Sequence, residues 1–344
     1  MRHHAAVRFL VRATALVIAV AALASPARAW FTVGHAKVAR AAVRALPPEV
    51  PRFFRDGAFT VGEAAVDPDL FKDRNLVALR AAEDPQHYLD WELIEGMQLP
   101  ADRWLFTEQV LQRRVDPKDL GVLPYSLLEA VQRLTTTFAE YRKYPEDVAI
   151  QQKALVYAGW LAHYGGDLEQ PLHTTIHHDG RALPDKSSPK TGIHQLVDGL
   201  FERVPLDEAK LTHDLPIQIY PDVWVAIQAE LARSHALVDH VYDLEPALRR
   251  AFPPAPRPAT TPVPAMPGAP SLLTNLKPLP SASPRPTPTA AATPAPPIPL
   301  SVSAFTAERF RVTAAFLASL YLTAWEQSAA IQLPNWLERP GPMR

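Results

Sequence analysis

The chain has 344 residues, with 35 lysines and arginines against 36 aspartates and glutamates, so its formal net charge is −1 at pH 7. This balance argues against a protein that holds nucleic acid on a broad basic surface, although it allows an enzyme that contacts phosphate groups locally. The absence of cysteine excludes disulfide bonds and a lipid anchor on cysteine.

Residues 1–29 have the order of a secretory signal peptide. Basic residues come first, residues 13–24 are uncharged and apolar, and Ala27 and Ala29 provide the small side chains of a cleavage site. The apolar run is shorter than the ~20 residues of a membrane-spanning helix. We therefore expect cleavage between Ala29 and Trp30, which would leave a secreted or periplasmic protein whose first residue, Trp30, has a free α-amino group.

The rest of the chain predicts an all-α protein. Apolar residues recur at helical spacing, and neither strand-like alternation nor hairpin turn signals appear. The predicted helices cover residues 34–46, 123–144, 146–167, 192–204, 222–242 and 303–331. The helix over 146–167 is densely apolar in its second half, so we expect it to be buried.

Residues 252–300 interrupt this pattern and hold nearly half of the chain's 37 prolines. Such a segment cannot keep a helical hydrogen-bond ladder and has little to bury, so it predicts a disordered insertion. A flexible tether is the preferred interpretation, and a ligand for a proline-reading domain is the alternative. The amphipathic helix that follows should pack back, so that residues 30–251 and 301–335 form one domain.

Two histidine–aspartate pairs with a spacing of four are the strongest chemical signal. His163 and Asp167 form one pair and His194 and Asp198 the other, while His173 follows shortly after the first. Side chains four apart lie on one face of a helix. Neutral imidazole and carboxylate are zinc ligands. A single pair is usually an ordinary hydrogen-bonded pair, but two pairs, one of them in an apolar helix, favour a metal because buried polar groups need partners.

Two earlier segments, 66–72 and 83–90, add further candidates. Taken alone they mean little, because Asp-Pro usually marks a turn and a His-Tyr pair usually reflects packing. The candidate side chains in these segments are Asp67, Asp69, Lys72, His87, Tyr88 and Asp90.

Together these residues resemble the S1/P1 nuclease and zinc-dependent phospholipase C superfamily, over residues 30 to about 204. The family pattern consists of Trp-x4-His at the mature N-terminus, an aspartate followed by a His-Phe-Ile-Asp-like block, His-x3-Asp-x5-His, and a final His-x3-Asp. The matching residues, in chain order, are Trp30 and His35; Asp69 and the block His87-Tyr88-Leu89-Asp90; His163, Asp167 and His173; and His194 and Asp198.

The resemblance implies a single multi-helix domain of the phospholipase C/P1 nuclease type, here with the Pro-rich insertion before its last helix, and three zinc ions per chain. The implied ligand sets are Asp69, His87, His163 and Asp167 for one zinc; Trp30, His35 and Asp167 for a second; and His173, His194 and Asp198 for a third. Asp67 competes with Asp69. We prefer Asp69 because Lys72 then falls where the nucleases carry a phosphate-contacting arginine, although lysine lacks the bidentate fork of arginine.

The implied activity is hydrolysis of phosphodiesters by a metal-activated water, with Asp69, Lys72 and Asp167 as the catalytic residues. Tyr88 would stack on a base and Asp90 would bind its edge, which favours single-stranded nucleic acid as substrate. A phospholipase C that acts on phospholipid head groups is the first alternative, and a non-catalytic zinc-binding surface protein is the second. We expect a monomer without a stable partner.

Overall fold

The computed structural model describes residues 32–253 and 297–335. Helices, turns and loops make up these residues, with no β-strand among them, so the predicted all-α class is confirmed. The predicted signal peptide, Trp30 and most of the Pro-rich segment lie outside the described residues. Within the described ranges, no helix combines the length and apolar character needed to cross a membrane.

The described residues up to Leu168 contribute nine helices, most of them short. They are α1 (Thr32–Arg44), α2 (Arg52–Asp56), α3 (Ala58–Ala64), α4 (Asp67–Leu70), α5 (Val77–Glu83), α6 (Arg103–Gln112), α7 (Pro117–Leu120), α8 (Leu123–Lys143) and α9 (Val148–Leu168).

Six helices follow. They are α10 (Ile193–Asp198), α11 (Leu200–Arg203), α12 (Glu208–Thr212), α13 (Val223–His235), α14 (Val238–Ala251) and α15 (Leu300–Gln327). Short 3-10 turns occur at Asp84–His87, Trp91–Leu93, Pro171–His173 and Ser328–Ala330.

Two predicted helices are wrong as single elements. The region 192–204 divides at Gly199 into α10 and α11. The region 222–242 divides into α13 and α14, because the chain turns after His235. At this turn the N–H of Leu237 donates to the carbonyl of Ser234 at 3.0 Å instead of continuing the helical ladder. This turn brings Val241 on α14 into the buried core.

The core lies where α8, α9 and α15 pack together, with α1 and α3 against α9. Asp147 begins α9 by accepting hydrogen bonds from two backbone N–H groups of its first turn. The second half of α9 is almost fully buried, which brings its polar residues His163 and Asp167 into the protein interior. The hydroxyl of Tyr321 on α15 donates to the carbonyl of Ala158 on α9 at 3.0 Å and ties the two helices together.

Candidate metal centre

The buried end of α9 provides His163 and Asp167, both completely excluded from solvent. His163 Nδ1 lies 2.8 Å from the carbonyl of Ala65, to which it can only donate. This bond fixes the tautomer, because one imidazole nitrogen is the donor and Nε2 keeps its lone pair. His163 Nε2 is therefore available as a metal ligand.

His35 on α1 completes the first group. Its ring stacks on that of His163 with centroids 4.1 Å apart, and its Nε2 lies 3.2 Å from Asp167 Oδ1. His35, His163 and Asp167 each direct a ligand atom into one small space. Two ligands of a tetrahedral zinc at ~2.1 Å lie about 3.4 Å apart, so this separation matches shared coordination.

A second group shares His163 with the first. Asp69, His87 and His163 each bring a ligand atom within 4.8 Å of the others. His87 Nδ1 lies 3.0 Å from His163 Nε2 and 2.9 Å from Asp167 Oδ2. Asp167 thus faces His35 with one carboxylate oxygen and His87 with the other, which is the arrangement expected of a carboxylate between two metal ions.

The third group consists of His173, His194 and Asp198, all buried. His173 Nδ1 donates to the carbonyl of His87 at 2.6 Å, and His194 Nδ1 donates to that of His178 at 3.1 Å. Both Nε2 atoms therefore keep lone pairs and face Asp198, at 3.9 Å and 3.3 Å. These two Nε2 atoms and Asp198 Oδ2 have no hydrogen-bond partner among the described residues.

Burial sets the charge state of these groups. It lowers the pKa of His87, His163 and His173 well below the usual value and that of His194 to about 3, so the imidazoles are neutral, as metal ligands must be. Burial also raises the pKa of Asp167 to about 6 and that of Asp198 well above the usual value. Neutral imidazoles beside buried, unsatisfied carboxylates are a donor set that suits a divalent cation.

The two candidate aspartates, Asp67 and Asp69, differ in their contacts. Asp69 lies in the second group, whereas Asp67 Oδ2 accepts a hydrogen bond from Trp160 Nε1 at 3.3 Å. Lys72 Nζ lies 2.7 Å from Asp69 Oδ1, so its charge is held beside that group. The only predicted metal ligand not placed in a group is Trp30, which lies outside the described residues.

A cleft of about 770 Å³ lies beside the groups, and its wall includes His87, His173 and His194. Lys72, Tyr88 and Asp90, the predicted substrate-binding residues, also line it. The hydroxyl of Tyr88 donates to the carbonyl of Lys118 at 2.5 Å, which fixes its ring in the wall. Burial, reinforced by nearby carboxylates, raises the pKa of Asp90 to about 8.

Two residues that the sequence reasoning missed support the ligands. Gln170 Nε2 donates to Asp198 Oδ1 at 2.7 Å and leaves the other carboxylate oxygen facing the histidines. Glu83 is buried, accepts a hydrogen bond from the Tyr164 hydroxyl at 2.6 Å, and lies 3.4 Å from His87 Nε2. Glu83 and His87 are four residues apart, the same spacing that drew attention to the other pairs.

Fold and site together define an all-helical protein whose described residues include three buried histidine–carboxylate groups that can hold metal ions. Comparison with protein-family models, with curated proteins and with solved structures found no match to this chain. The resemblance to the nuclease and phospholipase C superfamily therefore rests on the motif residues.

Proposed function

We propose that the protein is a zinc-dependent phosphodiesterase of the S1/P1 nuclease and phospholipase C type. One observation carries the proposal: three groups of buried ligand atoms, several without hydrogen-bond partners, lie near one another, and two of the groups contribute histidines to the wall of one cleft. A set of histidines used only for packing would be expected to satisfy both ring nitrogens.

The first two groups share His163 and meet at Asp167, so they would hold a close pair of ions, and His173, His194 and Asp198 would hold the third. Bound zinc supplies Lewis-acid activation of water and stabilises charge on the phosphate. The described residues of the cleft wall therefore need only to bind and orient the diester.

Lys72 and Asp90 have distinct roles in this proposal. The ammonium of Lys72, held beside Asp69, faces the cleft and can neutralise a non-bridging phosphate oxygen. A carboxyl group with a pKa near 8 is largely protonated at neutral pH, so Asp90 can donate a hydrogen bond to an acceptor on the substrate. Tyr88 presents an aromatic ring for stacking on a base.

The surroundings of Tyr88 favour phospholipid as a second candidate substrate. Burial raises the pKa of its hydroxyl, and four carboxylates add to this shift: Asp90, Asp84, Asp119 and Asp116. Of these, Asp90 is largely protonated at neutral pH and Asp84 is paired with Arg80, so Asp116 and Asp119 are the two that repel the consecutive phosphates of a nucleic acid. They attract the ammonium of a zwitterionic head group, which can also lie on the aromatic ring.

The test is a parallel assay of the zinc-loaded chain on single-stranded DNA, RNA, phosphatidylcholine and soluble bis-nitrophenyl phosphate. We expect the soluble diester to be cleaved. Faster cleavage of DNA or RNA than of phosphatidylcholine would identify a nuclease, and the opposite order would identify a phospholipase C. His163→Gln should reduce every rate by more than about 100-fold. His213→Gln is the matched control, because its side chain is 77% exposed and belongs to none of the groups. Bound zinc without hydrolysis of any substrate would instead support a non-catalytic zinc-binding protein.

A further inference from the structure

The segment from residue 70 to residue 82, here called the rim segment, exposes an unusual amount of apolar surface. The exposed fractions are 59% for Leu70, 52% for Leu76, 73% for Val77 and 41% for Leu79. Ala78, Ala81 and Ala82 on the same short helix, α5, are exposed as well. Single exposed apolar residues are ordinary, but a run of them along one element marks an interaction surface.

The rim segment lies at the edge of the cleft. Two of its side chains, Lys72 and Arg80, line the cleft, and α5 packs against the turn that ends at His87. Arg80 Nε is held by Asp84 Oδ2 at 3.0 Å, so this residue adds little net positive charge. The occupant of the apolar surface must therefore be compatible with a substrate that enters the adjacent cleft.

The charges beside the rim segment select among possible occupants. The cleft wall carries both signs of charge, with the exposed Arg114 and Lys186 beside the exposed Asp116, Asp119 and Asp185, and this balance suits a zwitterionic head group better than a polyanionic nucleic acid or a strongly anionic membrane. The carboxylates complement the outward ammonium of a zwitterionic phospholipid, whose acyl chains match the exposed leucine and valine side chains. A phospholipid surface offers the apolar contact, the cation and the phosphodiester together.

We propose that the rim segment is a docking surface for zwitterionic phospholipid, which seats the protein on a membrane or micelle with its cleft at the head groups. This inference rests on the proposed function and selects its lipid substrate. Val77 and its neighbours enter the interface, and a head group reaches the cleft wall that carries Lys72.

Co-sedimentation of the full chain with phosphatidylcholine vesicles tests the docking surface directly. Val77→Asp should weaken vesicle binding by about tenfold, because a charge replaces an apolar side chain that the interface buries. Val148→Asp is the matched control: Val148 is 63% exposed and, like Val77, is the first residue of its helix. It lies on the order of 20 Å along α9 from His163. An aspartate in the first turn favours both helices, so both variants should fold.

Two readouts separate the docking surface from the catalytic proposal. Val77→Asp should lower the rate on vesicles and leave the rate on soluble bis-nitrophenyl phosphate unchanged. Cleavage of the soluble diester without vesicle binding by the unmodified chain would overturn the docking surface and leave the phosphodiesterase standing. Vesicle binding without cleavage of either substrate would overturn the phosphodiesterase and leave the docking surface standing. Equal losses in the two variants, or a Val77→Asp effect on self-association instead of vesicle binding, would also overturn the docking surface.

Discussion

Glu83 faces the side of the His87 ring that points away from the ligand group. His87 Nδ1 lies towards Asp167, while Nε2 lies 3.4 Å from Glu83 Oε1. If Nδ1 holds a metal, Nε2 carries a hydrogen and the carboxylate can accept it. Such a carboxylate fixes the orientation of the ring and strengthens it as a ligand. Glu83→Gln keeps the shape and the acceptor for the Tyr164 hydroxyl but removes the charge.

We expect Glu83→Gln to weaken zinc binding by about 10–100-fold, measured by competition with a chelator. Glu63→Gln, an exposed change on α3, provides the control. The thermal midpoint of the metal-free variant should stay close to that of the unmodified chain. Loss of stability with unchanged zinc affinity would assign Glu83 to packing alone.

The raised pKa of Asp90 predicts a pH-dependent effect on stability. Burial is its main cause, and it lifts the pKa to about 8, whereas an unfolded aspartate titrates near ~3.9. Between these values the folded chain keeps the proton and the unfolded chain loses it. The carboxyl group therefore costs no stability below about pH 4, and stability declines as the pH rises towards 8.

Asp90→Asn removes this titration. At pH 4 we expect thermal midpoints within a degree of one another, and at pH 9 we expect the variant to unfold roughly 2–4 °C higher. Asp243→Asn, an exposed change on α14, should show no such trend. A variant that is less stable at pH 9 would mean that the ionised carboxylate has a stabilising partner.

At the scale of the helices, the position of the site depends on the close approach of α3 and α9. A Cβ atom on Gly159 would lie 2.5 Å from the Ala64 Cβ and 2.6 Å from the Ala64 backbone carbon. The next residue, Ala65, provides the carbonyl that orients His163. Only glycine lets the two helices come close enough for this bond.

Gly159→Ala should therefore lower the free energy of unfolding by about 1–3 kcal/mol, measured by urea denaturation, because backbone has to move. Gly165→Ala on the same helix is the comparison. There the new methyl group meets the flexible end of Leu317, and the gain in helix propensity offsets the contact. Equal effects of the two changes would show that α3 can shift away from α9 without loss of unfolding free energy.

The elements differ in how well the sequence predicted them. Residues 146–167 have a strong apolar pattern and an aspartate cap, and α9 begins and ends within two residues of the prediction. The break between α13 and α14 has no glycine or proline to mark it. It follows from packing, since both Leu231 and Val241 reach the core only when the chain turns. The helices α2 to α5 and α7 have at most about two turns each, too few to show a period.

The site likewise has parts that a local sequence pattern predicted and parts that depend on packing between distant residues. Spacing within one helix revealed His163 with Asp167 and His194 with Asp198, because it fixes which side chains share a face. Spacing could not show that His35 stacks on His163, since that contact joins residues far apart in the chain. The order of the motifs in the resembled family predicted that these distant residues belong to one site, which spacing within a helix could not do. Glu83 was missed because the resemblance included no residue at its position.

At the scale of the whole molecule, the group formed by His35, His163 and Asp167 lies where the described chain begins. Thr32 starts α1 only three residues before His35, and the resemblance places the α-amino group of Trp30 in this group. An α-amino nitrogen exists at Trp30 only after cleavage of the preceding bond, and as part of a peptide bond it cannot bind a metal. The number of zinc ions should thus depend on where the chain starts.

Metal analysis of two chains tests this dependence. A chain that begins at Trp30 should hold three zinc ions, as the resemblance implies, whereas one that begins at Ala29 should hold two tightly. The third group, His173, His194 and Asp198, shares no residue with the first and provides the internal control. Because zinc that binds only the folded state stabilises it, the longer chain should also gain less in thermal midpoint when zinc is added. Equal zinc content and equal hydrolysis rates would show that His35, His163 and Asp167 hold their ion without the amine.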